Sequence, residues 1–287
     1  MKTKNFIDGI KRNILMIDKL LQQEIDKSSS DKEVAVLLSG GVDSLSVAFA
    51  AQRLGKTINA YTFHLKGQPT YDSIKAQEIS IKNKWYCRVI EVPTDNLEQD
   101  FLTLAKEIKC VKKTHFECCY PFIHLYPHIK EREVLSGWAA DGYYGISKKA
   151  ILHYGPGKPK SKFDEFRNTY FDKKNQAGYI WHNRVAEMNN KKFITPYLTE
   201  NVKQYFYNMS WLKLNKPKQK HHVRKAFKKE FMNTGVKKHI NLQLGSGVDK
   251  LFETLLNNKK INTNNRKRVM DICRDWSIKV QSEGSLY

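Results

Sequence analysis

One turn constrains this chain more than any other feature. Val34 to Leu38 is an unbroken apolar run, Ser39-Gly40-Gly41 follows it, and Val42-Asp43-Ser44 opens at once into an Ala- and Leu-rich stretch, Leu45 to Leu54, closed by Gly55. An apolar run without alternation reads as a strand buried on both faces, and such strands belong to parallel sheets. The two glycines let the backbone bend sharply and approach a ligand with no Cβ in the way. The amides at the start of the following helix then point outward at an anion, and the helix dipole adds to the attraction. Ser39 and Ser44 contribute hydroxyls. Asp43 repels a phosphate by itself, so it makes sense as a ligand for the Mg²⁺ that bridges phosphates to protein. A plain tight joint between strand and helix would need the glycines but not the Asp and Ser that follow them. No G-x-x-x-x-G-K-[ST] string occurs, so this is not a Walker A loop.

The rest of the first half repeats the same grammar. Ile58 to His64 reads as a second strand, Asp72 to Lys84 as a helix with Asp72 at its N-cap, Tyr86 to Val92 as a third strand, Asn96 to Cys110 as a helix, and Glu133 to Ser136 as a short fourth strand running into Gly137. Strands alternating with helices predict an α/β fold, a parallel sheet with helices on both faces. Phe6 to Ile25 carries apolar residues at helical spacing, giving an N-terminal helix within residues 1–30 ahead of an α/β core at 31–150. Beyond Ile151 the pattern turns to loops and helices, after a linker with Gly and Pro at Tyr154 to Lys160, so 151–287 is expected to be a mainly helical part that completes the site.

The string Ser39 to Ser44 resembles the signature of the PP-loop ATP pyrophosphatases, whose fold is that of the adenine nucleotide alpha hydrolases and whose members split ATP into AMP and pyrophosphate. Later stretches resemble the synthetase domain of asparagine synthetases. Leu135-Ser-Gly-Trp-Ala-Ala-Asp-Gly-Tyr-Tyr-Gly145 is similar to the family's S-G-x-G-A-D-E-x-x-G-G, matching at Ser136, Gly137, Ala140, Asp141 and Gly145. The resemblance makes Asp141 a second metal carboxylate opposite Asp43, and Ser136 and Gly137 part of the nucleotide site. A turn-capping role is the plainer alternative for Asp141. Lys192-Phe-Ile-Thr-Pro-Tyr-Leu198 is similar to R-x-P-F-L-D with Thr199 in place of the last Asp, and Gln243 to Val248 to Q-x-G-S-G. Lys218 to Phe227 is similar to K-x-x-L-R-x-A-F, which aligns Lys220 and Arg224 with the catalytic lysine and its companion arginine. Residues 201–240 hold eleven Lys or Arg and one acid, so any single lysine there is otherwise read as solvated surface.

The family implies an enzyme, with ATP and Mg²⁺, that adenylates a carboxylate or carbonyl oxygen and then transfers ammonia or an amine. Departures from the pattern bear on the substrate. The phosphate turn arrives by residue 39, leaving no space ahead of it for the family's glutaminase domain, so nitrogen is expected from free ammonia, a separate glutaminase or an amine. Trp138 and Gly142 stand where the family has acids, which sets aspartate amidation in doubt; Trp138 either packs a wall or stacks on a ring.

The formal net charge of +21 suits polyanions, unless it reflects coding bias. It admits a rival reading, a PP-loop enzyme acting on a nucleotide or nucleic acid (tRNA or DNA), with Trp181 and Trp211 available to stack on bases. A nucleotide-binding regulatory protein without catalysis is a second rival. Five cysteines at irregular spacing (Cys87, Cys110, Cys118, Cys119 and Cys273) exclude a C-x-x-C zinc site and favour a reducing, cytoplasmic setting. No stretch is long and apolar enough to span a membrane, and no secretory signal is expected.

Overall fold

In a computed structural model of the chain, the described residues are 16–146, 161–169, 177–234 and 242–258, with positions 157, 159, 260, 271, 272, 274 and 275. The start of the expected N-terminal helix, most of the 154–160 linker and Cys273 lie outside them. In chain order the elements are α1 (Ile17–Ser28), β1 (Glu33–Leu37), α2 (Val42–Arg53), β2 (Thr57–Leu65), α3 (Tyr71–Asn83), β3 (Tyr86–Val92), α4 (Leu97–Thr103), continued by a π turn at Leu104–Ile108, α5 (Lys113–Leu125) and β4 (Glu133–Leu135). There follow α6 (Ala140–Tyr144), α7 (Ser161–Asn168), α8 (Ala177–Met188), β5 (Lys192–Ile194), α9 (Glu200–Tyr207), α10 (Trp211–Asn215), α11 (His221–Ala226), α12 (Lys228–Thr234), α13 (Leu242–Ser246) and α14 (Val248–Asn258).

The five strands form one parallel sheet in the order β3-β2-β1-β4-β5. Because successive side chains on a strand point to opposite faces, each strand feeds two cores. Val34, Val36, Ile58, Ala60, Leu135 and Ile194 pack into one, under α1, α2, α3 and the later helices α9 and α11. Ala35, Tyr61, Leu65, Val134 and Phe193 pack into the other, under α4, α5, α8 and α14. The α/β/α layering expected from the sequence is therefore present. The boundary expected at residue 150 does not divide the sheet, however. β5 comes from 192–194 and pairs with β4 through Glu133↔Lys192 to Leu135↔Ile194, because the short β4 otherwise leaves an open edge.

Two local expectations are corrected. Thr70, not Asp72, caps α3: its hydroxyl accepts from the Ser73 amide while the Ser73 hydroxyl accepts from the Thr70 amide, a reciprocal box that leaves Asp72 inside the first turn. The helix expected to reach Cys110 leaves α-geometry at Leu104.

Tying α1 to the sheet falls to Glu133, which has no exposed surface. Its carboxylate accepts from the Ser29 hydroxyl at 2.6 Å and from the amides of Ser30 and Asp31 at 3.3 and 3.1 Å, with the Lys192 ammonium at 3.5 Å. Burial pushes its pKa up, but these donors outweigh burial and hold it below the ordinary glutamate value. Glu133→Ala is expected to lower stability by about 2–4 kcal/mol, because it strands a hydroxyl and two amides, with Glu133→Gln intermediate. The folded state binds fewer protons here than the unfolded chain. The stabilisation is thus complete above pH 4.5 and is lost as the pH falls below it. Urea titrations of wild type and both variants from pH 7 to pH 4 check this, and the gap to wild type should narrow at the acid end.

Candidate active site

Strand order reverses between β1 and β4, whose crossovers leave in opposite directions. In open parallel sheets, a crevice forms at the carboxyl ends of the strands flanking that point. Both glycine-containing loops of the sequence analysis emerge there. β1 ends in Ser39-Gly40-Gly41 with Gly40 at φ 65°, and Gly41 is the N-cap of α2 without a capping side chain. The first-turn amides of Val42, Asp43 and Ser44 have no acceptor within the helix. Val42 itself packs into the first core. Hydroxyls brace the bend: Ser44 Oγ donates to Gly41 O at 3.2 Å and accepts from the Ser39 amide at 3.4 Å, and Ser39 Oγ accepts from the Gly41 amide at 3.3 Å.

The loop after β4 presses against this bend. A Cβ on Gly137 would lie 2.5 Å from the Asp43 carbonyl carbon and 2.7 Å from the Ser44 amide nitrogen. Ser136, buried, accepts from the Trp138 amide through its hydroxyl at 3.2 Å and donates its own amide to Ile194 O at 3.0 Å. Ala139 then adopts φ 73° and opens α6, which carries Asp141.

Lys220 brings the two carboxylates together. Its ammonium contacts Asp43 Oδ2 and lies 2.6 Å from Asp141 Oδ1, with the Tyr144 ring centroid 5.3 Å away. Lys220 is buried, whereas Lys213, Lys216, Lys218, Lys225, Lys228 and Lys229 around it are exposed, so the reading of this region as solvated surface fails at one position. Its backbone is left-handed at φ 57°, a conformation that costs a side-chain-bearing residue about 1–2 kcal/mol. Asn215 holds it there: its Oδ1 accepts from the Lys220 amide at 3.1 Å, and its Nδ2 donates to Tyr144 O at 2.9 Å. Lys220 is therefore the N-cap of α11, one residue ahead of the helix that carries Arg224. Arg224 is half-buried and donates Nε to Gln219 O at 3.1 Å. Burial lowers its pKa, and nearby Asp43 partly opposes the drop.

Burial raises the Asp43 pKa to about 6; Lys220 pulls against this and Asp141 adds to it. For Lys220, burial alone would lower the value, but the two carboxylates together carry it above that of a free lysine. We take the ammonium as charged, since both acids share it. Asp43 Oδ1 is buried and has no hydrogen-bond partner among the described residues. Asp141, 54% exposed, faces outward. No cluster of three or more metal-ligating side chains occurs among the described residues. Two carboxylates, one with an orphaned oxygen, fit Mg²⁺, which takes one or two protein carboxylates and completes its shell with water and phosphate.

A cavity of about 430 Å³ opens beside these groups. Ser39, Asp43, Ser44, Gly137 and Asp141 line its polar side, and Tyr61, Phe63, Phe122, Trp138 and His182 its aromatic side. Gly245 and Ser246, in the Gln243–Val248 stretch, also reach it. Sequence reasoning did not single out Asn215 or Lys75, and His182 reads from the sequence as a surface or core histidine, which its burial agrees with. Lys75, 2% exposed, lies with its stem across Gly40 and pairs with Asp72 at 3.2 Å. Only the location of Lys75 on the helix after β2 could have flagged it, and for Asn215 no linear signal existed. A third support is Arg167, 2% exposed, which donates to the carbonyls of Tyr143, Phe206 (2.6 Å) and Met209 (2.7 Å) and to Asp164 (2.5 Å).

Comparison with known proteins agrees with the first half of this picture. Residues 16–149 match the asparagine synthase family model, so this stretch is an asparagine synthase-type PP-loop domain. Lys220 and Arg224 lie outside the match. No curated protein matches the sequence. Among solved structures, the chain is similar to a predicted subunit of tRNA methyltransferase from Methanocaldococcus jannaschii, at 14% identity and a TM-score of 0.36, over 74% of this chain and 94% of that one.

The contact at Gly137 is with backbone and cannot yield, whereas a Cβ at Gly178 would meet only the Trp138 ring at 2.6 Å. Gly137→Ala is expected to cost about 1–3 kcal/mol in urea unfolding. Gly178→Ala should cost less, because the indole can turn away.

Proposed function

We propose that the protein is an ATP-dependent, AMP- and pyrophosphate-forming carbon–nitrogen ligase. One observation carries the reading: a buried lysine, held in a strained backbone conformation, joins two carboxylates at the mouth of a small-residue bend between strand and helix. A lysine needed only for packing would not require both acids, and strain of this kind concentrates at functional sites.

ATP would place its phosphates on the amides and hydroxyls of Ser39 to Ser44, with Ser136 and Gly137 closing the other side. Asp43 and Asp141 would hold Mg²⁺, which supplies charge neutralisation between the phosphates and the two acids. A carbonyl or carboxylate oxygen of the acceptor bonds to the α-phosphorus as pyrophosphate leaves. Ammonia or an amine then displaces AMP. Lys220 stabilises the charge that develops on the transferring phosphoryl group, a task suited to a mobile point charge. Arg224, one helical turn on, adds to the positive field over the same phosphates.

A nucleotide or nucleic-acid acceptor remains a second reading, favoured by the aromatic side of the cavity and the charge of +21.

Pyrophosphate release from ATP, measured across a panel of carboxylates and nucleosides with ammonia or an amine present, tests the proposal. Lys220→Ala is expected to reduce the rate roughly 10²–10³-fold, the usual loss for one preorganised charge-stabilising group. Lys220→Ala that releases pyrophosphate at the wild-type rate would remove the lysine from the chemistry. Wild-type protein that never releases pyrophosphate but binds ATP would make it a binding protein.

A further inference from the structure

Two lysines are buried among the described residues, and the proposed chemistry uses one of them. Lys220 joins the acids at the Asp43 end of the phosphate bend. Lys75, 2% exposed, lies at the Gly40 end. A Cβ on Gly40 would stand 2.4 Å from Lys75 Cε and 3.2 Å from its Cγ, so the lysine stem crosses the glycine in close contact. The ammonium is one bond further on. The first turns of α3 carry this lysine, and the reciprocal box of Thr70 and Ser73 fixes their start. Thr70 and Asp72 line the same cavity as Ser39 and Asp43.

Packing does not account for an ammonium here. Ile79 Cδ1 already approaches the same side of Gly40, 3.3 Å from that Cβ position, and an apolar stem would cover the glycine equally well. A buried charge costs free energy unless it is well paired. The pairing of Lys75 is thin. Among the described residues its ammonium has Asp72 Oδ1 at 3.2 Å and the Tyr71 ring centroid at 5.1 Å. A strong ammonium–carboxylate bond is shorter, about 2.7–2.9 Å. The group has three N–H donors to place. Its carboxylate partner stands on the cavity wall with 16% of its side chain exposed, so the ammonium is one hydrogen bond behind that wall. Rotation about the last bonds of the stem carries the charge from Asp72 to an anion on the bend without moving α3.

Position decides which anion that is. In the ligase reading, Lys220 and the two acids surround the α-phosphorus. A triphosphate laid from there along Ser39 to Ser44 ends beside Gly40. Negative charge gathers on that end as pyrophosphate leaves, and a cation already in place there stabilises the transition state. Resting on the ligase reading, we propose that Lys75 is a second phosphate-binding lysine, which exchanges Asp72 for the β- and γ-phosphates of ATP and then holds the departing pyrophosphate. The ammonium keeps its proton throughout, and no covalent bond to it forms or breaks. Asp72 holds it until the phosphates arrive and takes it back when pyrophosphate leaves.

The test titrates the full chain calorimetrically, in Mg²⁺, with ATP, pyrophosphate and AMP. Lys75→Met keeps the unbranched stem and removes the charge. It should weaken ATP and pyrophosphate tenfold or more and leave AMP, which has no β- or γ-phosphate, unchanged. Lys75→Arg should lose less. The Nζ ¹⁵N shift of Lys75 in wild-type protein, which must move with pyrophosphate and stay with AMP, decides the matter if a variant folds poorly. Equal pyrophosphate binding by wild type and Lys75→Met, or a still Nζ signal, overturns the inference and leaves the nucleotide site standing. A parallel loss of AMP by Lys75→Met also overturns it, since the stem would then only shape the bend. Wild type that binds neither ATP nor pyrophosphate overturns both readings. Wild type that binds both in the expected pattern, yet never releases pyrophosphate from ATP, retains Lys75 as a phosphate ligand and removes the ligase.

Discussion

The site depends on two loops meeting with no side chain between them. Gly137 lies against the Asp43–Ser44 backbone at a distance that a Cβ cannot occupy. That approach follows from the sheet: β1 and β4 are neighbours in parallel register, Val36 opposite Leu135, so the chain leaves both strands at the same height. One loop supplies helix-start amides and Asp43, the other supplies Trp138 and Asp141. Hydrophobic burial on both faces holds the strands in place, and the loops inherit their precision from it.

Strain and charge accumulate at the same place. Ala139 and Lys220, on either side of the acids, both take left-handed backbone that their side chains disfavour. Asp43 is buried next to a second acid, which raises its affinity for protons, and one of its oxygens has no described partner. Each feature opposes folding a little. Together they leave a pocket whose charges are already gathered and mostly out of water, the condition under which an electrostatic interaction is strongest.

How much of this the sequence discloses depends on whether the signal is local. The bend at Ser39 to Ser44 and the alternation of strands and helices are local, and both were legible. Asp141 was singled out by the likeness of its stretch to the S-G-x-G-A-D-E-x-x-G-G pattern. α5, which carries Pro121 inside it, was not assigned. The helix continues because Phe116, Cys119, Tyr120, Phe122 and Leu125 are buried along it, and that burial outweighs the roughly 3 kcal/mol that an internal proline costs. Lys220 was singled out by the likeness of Lys218 to Phe227 to K-x-x-L-R-x-A-F and by its spacing to Arg224, whereas its burial among exposed lysines is a tertiary fact. Asn215 and His182 matter for what they face across the fold, and no spacing along the chain announces that.

Arg167 gathers the ends of three segments into one body. Its guanidinium takes the carbonyls of Tyr143, Phe206 and Met209, and Asp164, which pairs with it, also accepts the Trp211 amide at 2.8 Å. Asn215 then links the Tyr144 carbonyl to the Lys220 amide. Hydrogen bonds, joined through the Tyr143–Tyr144 peptide, thus run from a helix distant in sequence to the backbone of the lysine between the acids. Disturbance at residues 161–169 would loosen the lysine without touching it, and a ligand that draws the lysine outward would pull on that distant helix in return.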